Sequence, residues 1–138
     1  DQTHGINDLR GFYLKNKKTI PVFADNETKK YLINSFKYCF KDINKEYPAI
    51  LKLNKLNDKL FIKDGKKKIN IKAIKVKHGK VNSICYIIRN KLAYISDVSN
   101  INPKNFNYFK NLKYLIIDCL WLKYHPSHLK IIKFPLFF

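Results

Sequence analysis

The spacing of apolar residues changes several times along this chain, and each change marks a new element. Ile6, Leu9, Phe12 and Tyr13 recur at helical spacing, which predicts a short helix over residues 5–18 with those four on one face. Ile20 to Ala24 reads as a short strand, with Pro21 near its start. Asp25 or Asn26 is placed to cap a second helix over residues 27–41. Leu32, Ile33, Phe36 and Phe40 form its apolar face, and Lys29, Lys30, Lys37 and Lys41 lie elsewhere on it.

From Tyr47-Pro48 the spacing shortens towards two. Ala49 to Leu56 and Lys59 to Lys63 read as strands separated by the turn-like pair Asn57-Asp58. Asp64-Gly65 is a hairpin turn into a long strand over residues 67–77. Within that strand Ile69, Ile71 and Ala73 share one phase, whereas Ile74, Val76 and His78 share the other. The switch predicts a β-bulge near Ala73. Ile84 to Ile88 is apolar throughout and reads as a strand buried on both faces. Asn90-Lys91 turns it back into Leu92 to Ser96. Asn102-Pro103 starts a helix with Phe106 and Phe109 facing inward, and Tyr114 to Ile117 is the last clear strand. Strand pairs with single helices between them predict an α/β protein in which helices flank sheets.

The chain has 138 residues, enough for one domain with its own core. Its apolar runs are too short for a membrane span, and Asp118 interrupts the run Tyr114 to Leu122. Cys39, Cys85 and Cys119 are odd in number, far apart and embedded in or following apolar runs. That argues against a disulfide framework or a zinc ribbon and for buried reduced thiols, hence a cytoplasmic protein. Charge is lopsided, with 28 Lys and Arg against 10 Asp and Glu, a net +18. Such a field draws in polyanions. Yet Arg occurs only at positions 10 and 89, and Lys, Asn, Ile, Tyr and Phe are all abundant, as codon drift in an AT-rich genome would produce. Drift is therefore the preferred account, and a nucleic-acid partner the secondary one. Oligomeric state leaves no mark in the sequence.

The four histidines fall in three places: His4, His78, and the pair His125 and His128. Each lies in a loop at or after a strand end. Loop ligands from separate strands can converge at one sheet edge, and imidazole with carboxylate suits Zn(II) or Mn(II). Taken alone, a strand-end histidine is more often a satisfied surface group, and an Asp after a strand is commonly a turn cap.

Four stretches in order change that weighting. They are Asp1-Gln2-Thr3-His4-Gly5-Ile6-Asn7-Asp8-Leu9-Arg10; Val76-Lys77-His78-Gly79 with Ser83-Ile84-Cys85-Tyr86; Leu92-Ala93-Tyr94-Ile95-Ser96-Asp97-Val98; and Leu115-Ile116-Ile117-Asp118-Cys119-Leu120 with His125-Pro126-Ser127-His128-Leu129. Together they resemble the metallo-β-lactamase superfamily, in its branch near the phosphoribosyl cyclic phosphodiesterases. The resemblance implies a four-layer αββα sandwich and two divalent metal ions. It assigns Asp1, His78, Asp97 and His128 as metal ligands, with Asp97 bridging the ions. Asp1 would also orient the nucleophile. His125 would act as a proton donor or support a ligand, Asp118 would orient a loop or a ligand, and Arg10 would contact a substrate phosphate unless it pairs with Asp8.

The sequence departs from the family in three places. Gln2 stands where the family has a histidine for the second metal, so either His4 replaces it, or Asp1, Asp97 and His128 bind the second ion more weakly, or the protein uses one metal or is inactive. Cys85 replaces a Gly, small for small. The segment Lys130 to Phe138 lacks the acidic helix usual after the last histidine. Because the chain opens inside the first motif, at its Asp, residues 1–138 are expected to form a single partial domain, incomplete at the N-terminus and also at the C-terminus. The implied function is metal-dependent hydrolysis of a small or cyclic phosphodiester. The alternatives are a nuclease or RNA-processing relative on the same fold, and a non-catalytic metal-binding homologue.

Overall fold

A computed structural model of the chain describes residues 3–130. The chain folds as two compact units, Asp1–Leu56 and Asn57–Phe138.

The first unit begins with a 3-10 helix, His4–Leu9, that runs into α1, Arg10–Asn16. Lys17 ends α1 in the left-handed conformation at φ 52°. Strand β1, Ile20–Ala24, pairs in parallel with β2, Leu51–Lys55, and the connection carries α2, Asn26–Ser35, and α3, Lys37–Phe40. Parallel neighbours need such a crossover. Asp25 is the cap of α2, its Oδ1 accepting from Thr28 N–H at 2.8 Å.

The single helix expected over residues 27–41 is interrupted at Phe36, where φ is −132° and ψ 37°. Asn34 and Ser35 precede the break, and both residue types compete for backbone hydrogen bonds inside helices. Phe36 and Cys39 still bury with Leu32, Ala24, Ile50 and Leu51 to form this unit's core. Ile6, Leu9 and Tyr13 pack against it as their spacing predicts, but Phe12 is 61% exposed. The tighter first turns explain the misfit. A 3-10 helix advances about 120° per residue where an α-helix advances about 100°, so an apolar face computed for one α-helix loses register.

The second unit is a five-stranded sheet in simple order: β3 Lys59–Asp64, β4 Lys67–His78, β5 Val81–Ile88, β6 Leu92–Ile95 and β7 Tyr114–Ile117. The first three pairings are antiparallel and β6–β7 is parallel, bridged by a 3-10 helix, Pro103–Phe109. Asn102 caps that helix through Lys104 N–H, and Phe109 is buried. The hairpins β3–β4 and β4–β5 each turn on two residues, with Gly65 at φ 57° and Gly79 at φ 58° first in the loop. A two-residue hairpin needs a positive φ there to match strand twist, and glycine takes it without strain.

No bulge interrupts β4. Its register runs unbroken from Ile71 opposite Ile88 to His78 opposite Val81. The change of apolar phase at Ala73 reflects burial that switches faces along one continuous strand, since Ala73 and Ile74 are both buried. Beyond it Ile74 and Val76 join Cys85, Ile87, Ala93, Ile95, Val98 and Phe109 in the core. β5 is fully buried at Cys85 and Ile87 only, its alternate residues being half-buried. Among the described residues no helix is long and apolar enough to cross a membrane.

Candidate metal centre

Three strand ends of the second unit bring chemistry to one place. His78 closes β4, Asp97 follows β6, and His128 lies in the segment after β7. One donor atom from each lies within 4.8 Å of the other two, and all three residues are half-buried. The rings of His78 and His128 meet edge to face with centroids 4.9 Å apart.

The hydrogen bonds of the two imidazoles decide which nitrogen each presents. His78 Nδ1 lies 2.6 Å from the carbonyl oxygen of Ser127. A carbonyl only accepts, so Nδ1 carries the proton and the lone pair is on Nε2. His128 Nδ1 is bonded to the Asp118 carboxylate in the same sense, which forms an ion pair whenever the ring is protonated. Both rings thus offer Nε2, with the other nitrogen fixed by an acceptor, as metal-binding histidines are usually held.

Two imidazole nitrogens and a carboxylate are a donor set for Zn(II) or Mn(II). Bonds of about 2.0–2.2 Å to one ion place donors about 3–4 Å apart, so the triad fits an ion after movements of less than about 1 Å. The half-buried Asp97 carboxylate supplies the negative charge that offsets a cation's loss of water there.

His125 sits beside this group. Its ring centroid is 5.0 Å from that of His128, and the Trp121 ring stacks on it at 5.1 Å and 5°. Ser127 N–H donates to His125 Nδ1 at 3.2 Å, so a neutral His125 carries its proton on Nε2. The β4–β5 turn is tied down by Ser99, whose hydroxyl donates to Lys77 O at 3.2 Å and accepts from Gly79 N–H at 3.0 Å.

The remaining candidates lie in the first unit or outside the described residues. Asp1 and Gln2 belong to the latter. His4 opens the 3-10 helix and meets Phe36 edge-on, centroids 6.1 Å apart. Arg10 does not pair with Asp8; its guanidinium carbon lies 5.7 Å above the Tyr47 ring. The long arginine stem carries the charge to that aromatic face, a contact worth about as much as an exposed ion pair.

Sequence reasoning missed Ser127 and Ser99. Ser127 acts through a backbone carbonyl, which carries no residue-type signal, on a histidine 49 positions away. Only the Pro-Ser insertion between the two late histidines hinted that this loop had a fixed shape.

Comparisons with known proteins bear on this arrangement. No curated protein matches the chain. Among solved structures it is similar to a diphosphatase from the PhnP family, at 23% identity and a TM-score of 0.75 over 94% of this chain and 47% of that one. It is also similar to the metallo-beta-lactamase fold protein YhfI from Bacillus subtilis, at 16% identity and a TM-score of 0.56 over 91% of this chain and 51% of that one. The chain therefore spans about half the length of these structures. A family profile described as the beta-lactamase superfamily domain matches residues 1–133. By that match and the shared fold, the chain belongs to the metallo-β-lactamase superfamily.

Proposed function

We propose that this chain is the part of a metal-dependent phosphodiesterase that supplies His78, Asp97 and His128 to a centre of two divalent ions, Zn(II) or Mn(II). The observation that carries the reading is the convergence of these three donors, with Nδ1 of both imidazoles engaged by an acceptor so that Nε2 keeps its lone pair for an ion. Likeness of fold to a diphosphatase supports a phosphate-bearing substrate. Bound divalent ions would supply a water acidic enough to ionise near neutral pH and would polarise phosphoryl oxygens.

The chain's own residues have these roles in the proposal. His78 and His128 would hold the ions, with the Ser127 carbonyl and Asp118 keeping their rings oriented. Asp97 would supply its carboxylate to both. Asp1 would bind the second ion and orient the nucleophile, with His4 in the place of the histidine that Gln2 replaces. His125 offers its Nε2–H as a hydrogen-bond donor to the leaving oxygen, and to give up a proton it takes a second one on Nδ1 in place of the bond from Ser127 N–H. Arg10 contacts a substrate phosphate. The substrate is a small or cyclic phosphodiester. Three free cysteines support a reducing, cytoplasmic setting.

The test uses the whole protein that carries this chain, stripped by chelation and reloaded with Zn(II) or Mn(II). Hydrolysis of bis(p-nitrophenyl) phosphate and of a ribose cyclic phosphodiester should return with metal and be lost in Asp97→Asn. Metal-independent hydrolysis, or full activity in Asp97→Asn, would overturn the reading.

A further inference from the structure

The net charge of +18 has a local focus in the second unit. A cleft of about 640 Å³ opens between the start of β3, the outer edge of β4 and the 3-10 helix Pro103–Phe109. Lys59, Lys72, Lys75, Lys77 and Lys104 line it, against a single carboxylate, Asp58. Five lysines so close to one strand edge concentrate positive charge there.

The cleft's floor has a structural cause. β3 covers β4 only as far as Lys72, and Ala73 N–H then bonds Asp58 O at 2.9 Å. The outer edge is taken up again at Lys77, whose N–H bonds Asn100 O at 3.0 Å. Strand alternation turns the N–H of Lys75, between these two points, toward the same edge. Lysines from both faces of β4, with Lys72 on the Tyr108 side and Lys75 and Lys77 on the other, therefore flank one edge at which the Lys75 N–H and C=O lie. Above it Lys72 Nζ lies 3.6 Å from the centroid of the Tyr108 ring, which is itself 42% exposed.

We infer that this cleft binds a single-stranded nucleic acid. Lysine suits phosphate as a point charge, and the chain's scarcity of arginine counts less at such contacts than at bidentate ones. Tyr108 beside Lys72 pairs an aromatic surface with a cation, the combination with which proteins hold unpaired strands. Asn105 adds an amide that both donates and accepts, as base edges require. A concave groove also suits a strand better than a flat bilayer. The inference does not rest on the metal centre.

The experiment measures binding of a short fluorescein-labelled oligouridylate to the whole protein by anisotropy, in EDTA, across a salt series. EDTA removes metal-dependent turnover, so the outcome is independent of the phosphodiesterase reading. The double variant Lys75→Gln/Lys104→Gln should weaken binding and reduce the salt slope by about 1.4, at about 0.7 per lost contact to a single strand. A control variant with the same loss of charge, Lys30→Gln/Lys45→Gln in the first unit, should leave the slope unchanged. Circular dichroism and thermal melting establish that both variants fold. Equal effects of the two variants would show diffuse attraction and overturn the proposal. So would polyglutamate competing as well as unlabelled oligouridylate of equal charge.

Discussion

His78 donates its Nδ1–H to the carbonyl of Ser127 at 2.6 Å, joining the end of β4 to a loop 49 residues later. The contact fixes the ring's tautomer and holds two otherwise separate segments at the candidate centre. Asp118 does the same for His128 from the end of β7. The geometry of the site thus depends on residues that need not touch an ion.

Removing such support should weaken metal binding without abolishing it. Asp118→Asn keeps the size of the side chain and loses the charge that favours a proton on His128 Nδ1. Metal affinity of the whole protein should fall by about 10–100-fold, as is usual for partners of metal-binding histidines. Competition with a chromogenic chelator measures this. An unchanged affinity would remove His128 from the proposed ligand set.

Gly79 tests the same loop from the other side. Its φ is +58°, and a Cβ built there would lie 2.7 Å from Ser127 Oγ and 3.5 Å from Ser127 Cα. Gly79→Ala should therefore cost about 1 kcal/mol or more through the left-handed backbone alone. It should also force the Ser127 hydroxyl to turn and crowd the residue whose carbonyl holds His78. The expected readout is a lowered melting temperature together with weaker metal binding, whereas Gly11→Ala, where a Cβ has open space, should not weaken metal binding.

His4 is the proposed compensation for Gln2. In the whole protein His4→Ala should lower occupancy of the second metal more than of the first, and adding Gln2→His should restore it. Elemental analysis by mass spectrometry counts the ions. If His4→Ala leaves metal content and phosphodiesterase rate unchanged, the second ion rests on Asp1, Asp97 and His128.

The thiols should differ in reactivity and in their effect on alkaline stability. Burial pushes the Cys85 thiol up from 9.0 to about 12, and Cys39 is also raised by burial. Cys119 is raised by burial and by the nearby Asp118 carboxylate, yet it is only partly buried. Alkylation of the native protein at neutral pH should label Cys119 first, with Cys39 and Cys85 labelled only on unfolding. For Cys85 the folded value lies above the unfolded one. Its contribution to stability is therefore fully present below about pH 9 and is lost as pH rises towards about 12. Cys85→Ala should flatten the fall of melting temperature above about pH 9. An unaltered alkaline profile would show that another group controls it.

Much of the architecture was legible in the residues. β1 and β7 lie where their short apolar runs placed them, because such a run is written locally. Asp25 and Asn102 announced their helix starts, since a cap acts within three residues. The order of His78, Asp97 and His128 along the chain was enough to group them through family resemblance. Spacing alone was not.

What the sequence could not determine lay in long-range packing. The apolar phase switch in β4 looked like a bulge because a pattern records which residues are buried, not what buries them. The pairing with β5 showed one unbroken strand whose covered face changes. The helix over residues 27–41 broke at Phe36, and Arg10 chose the Tyr47 ring over Asp8. Asn34 and Ser35 favour the break, and a contact distant in sequence decided the second. Likewise, Ser127 reaches His78 through a backbone carbonyl, and five lysines from β3, β4 and the segment after β6 share one cleft. Residue type reveals what a side chain can bond; only the fold brings its partner within reach.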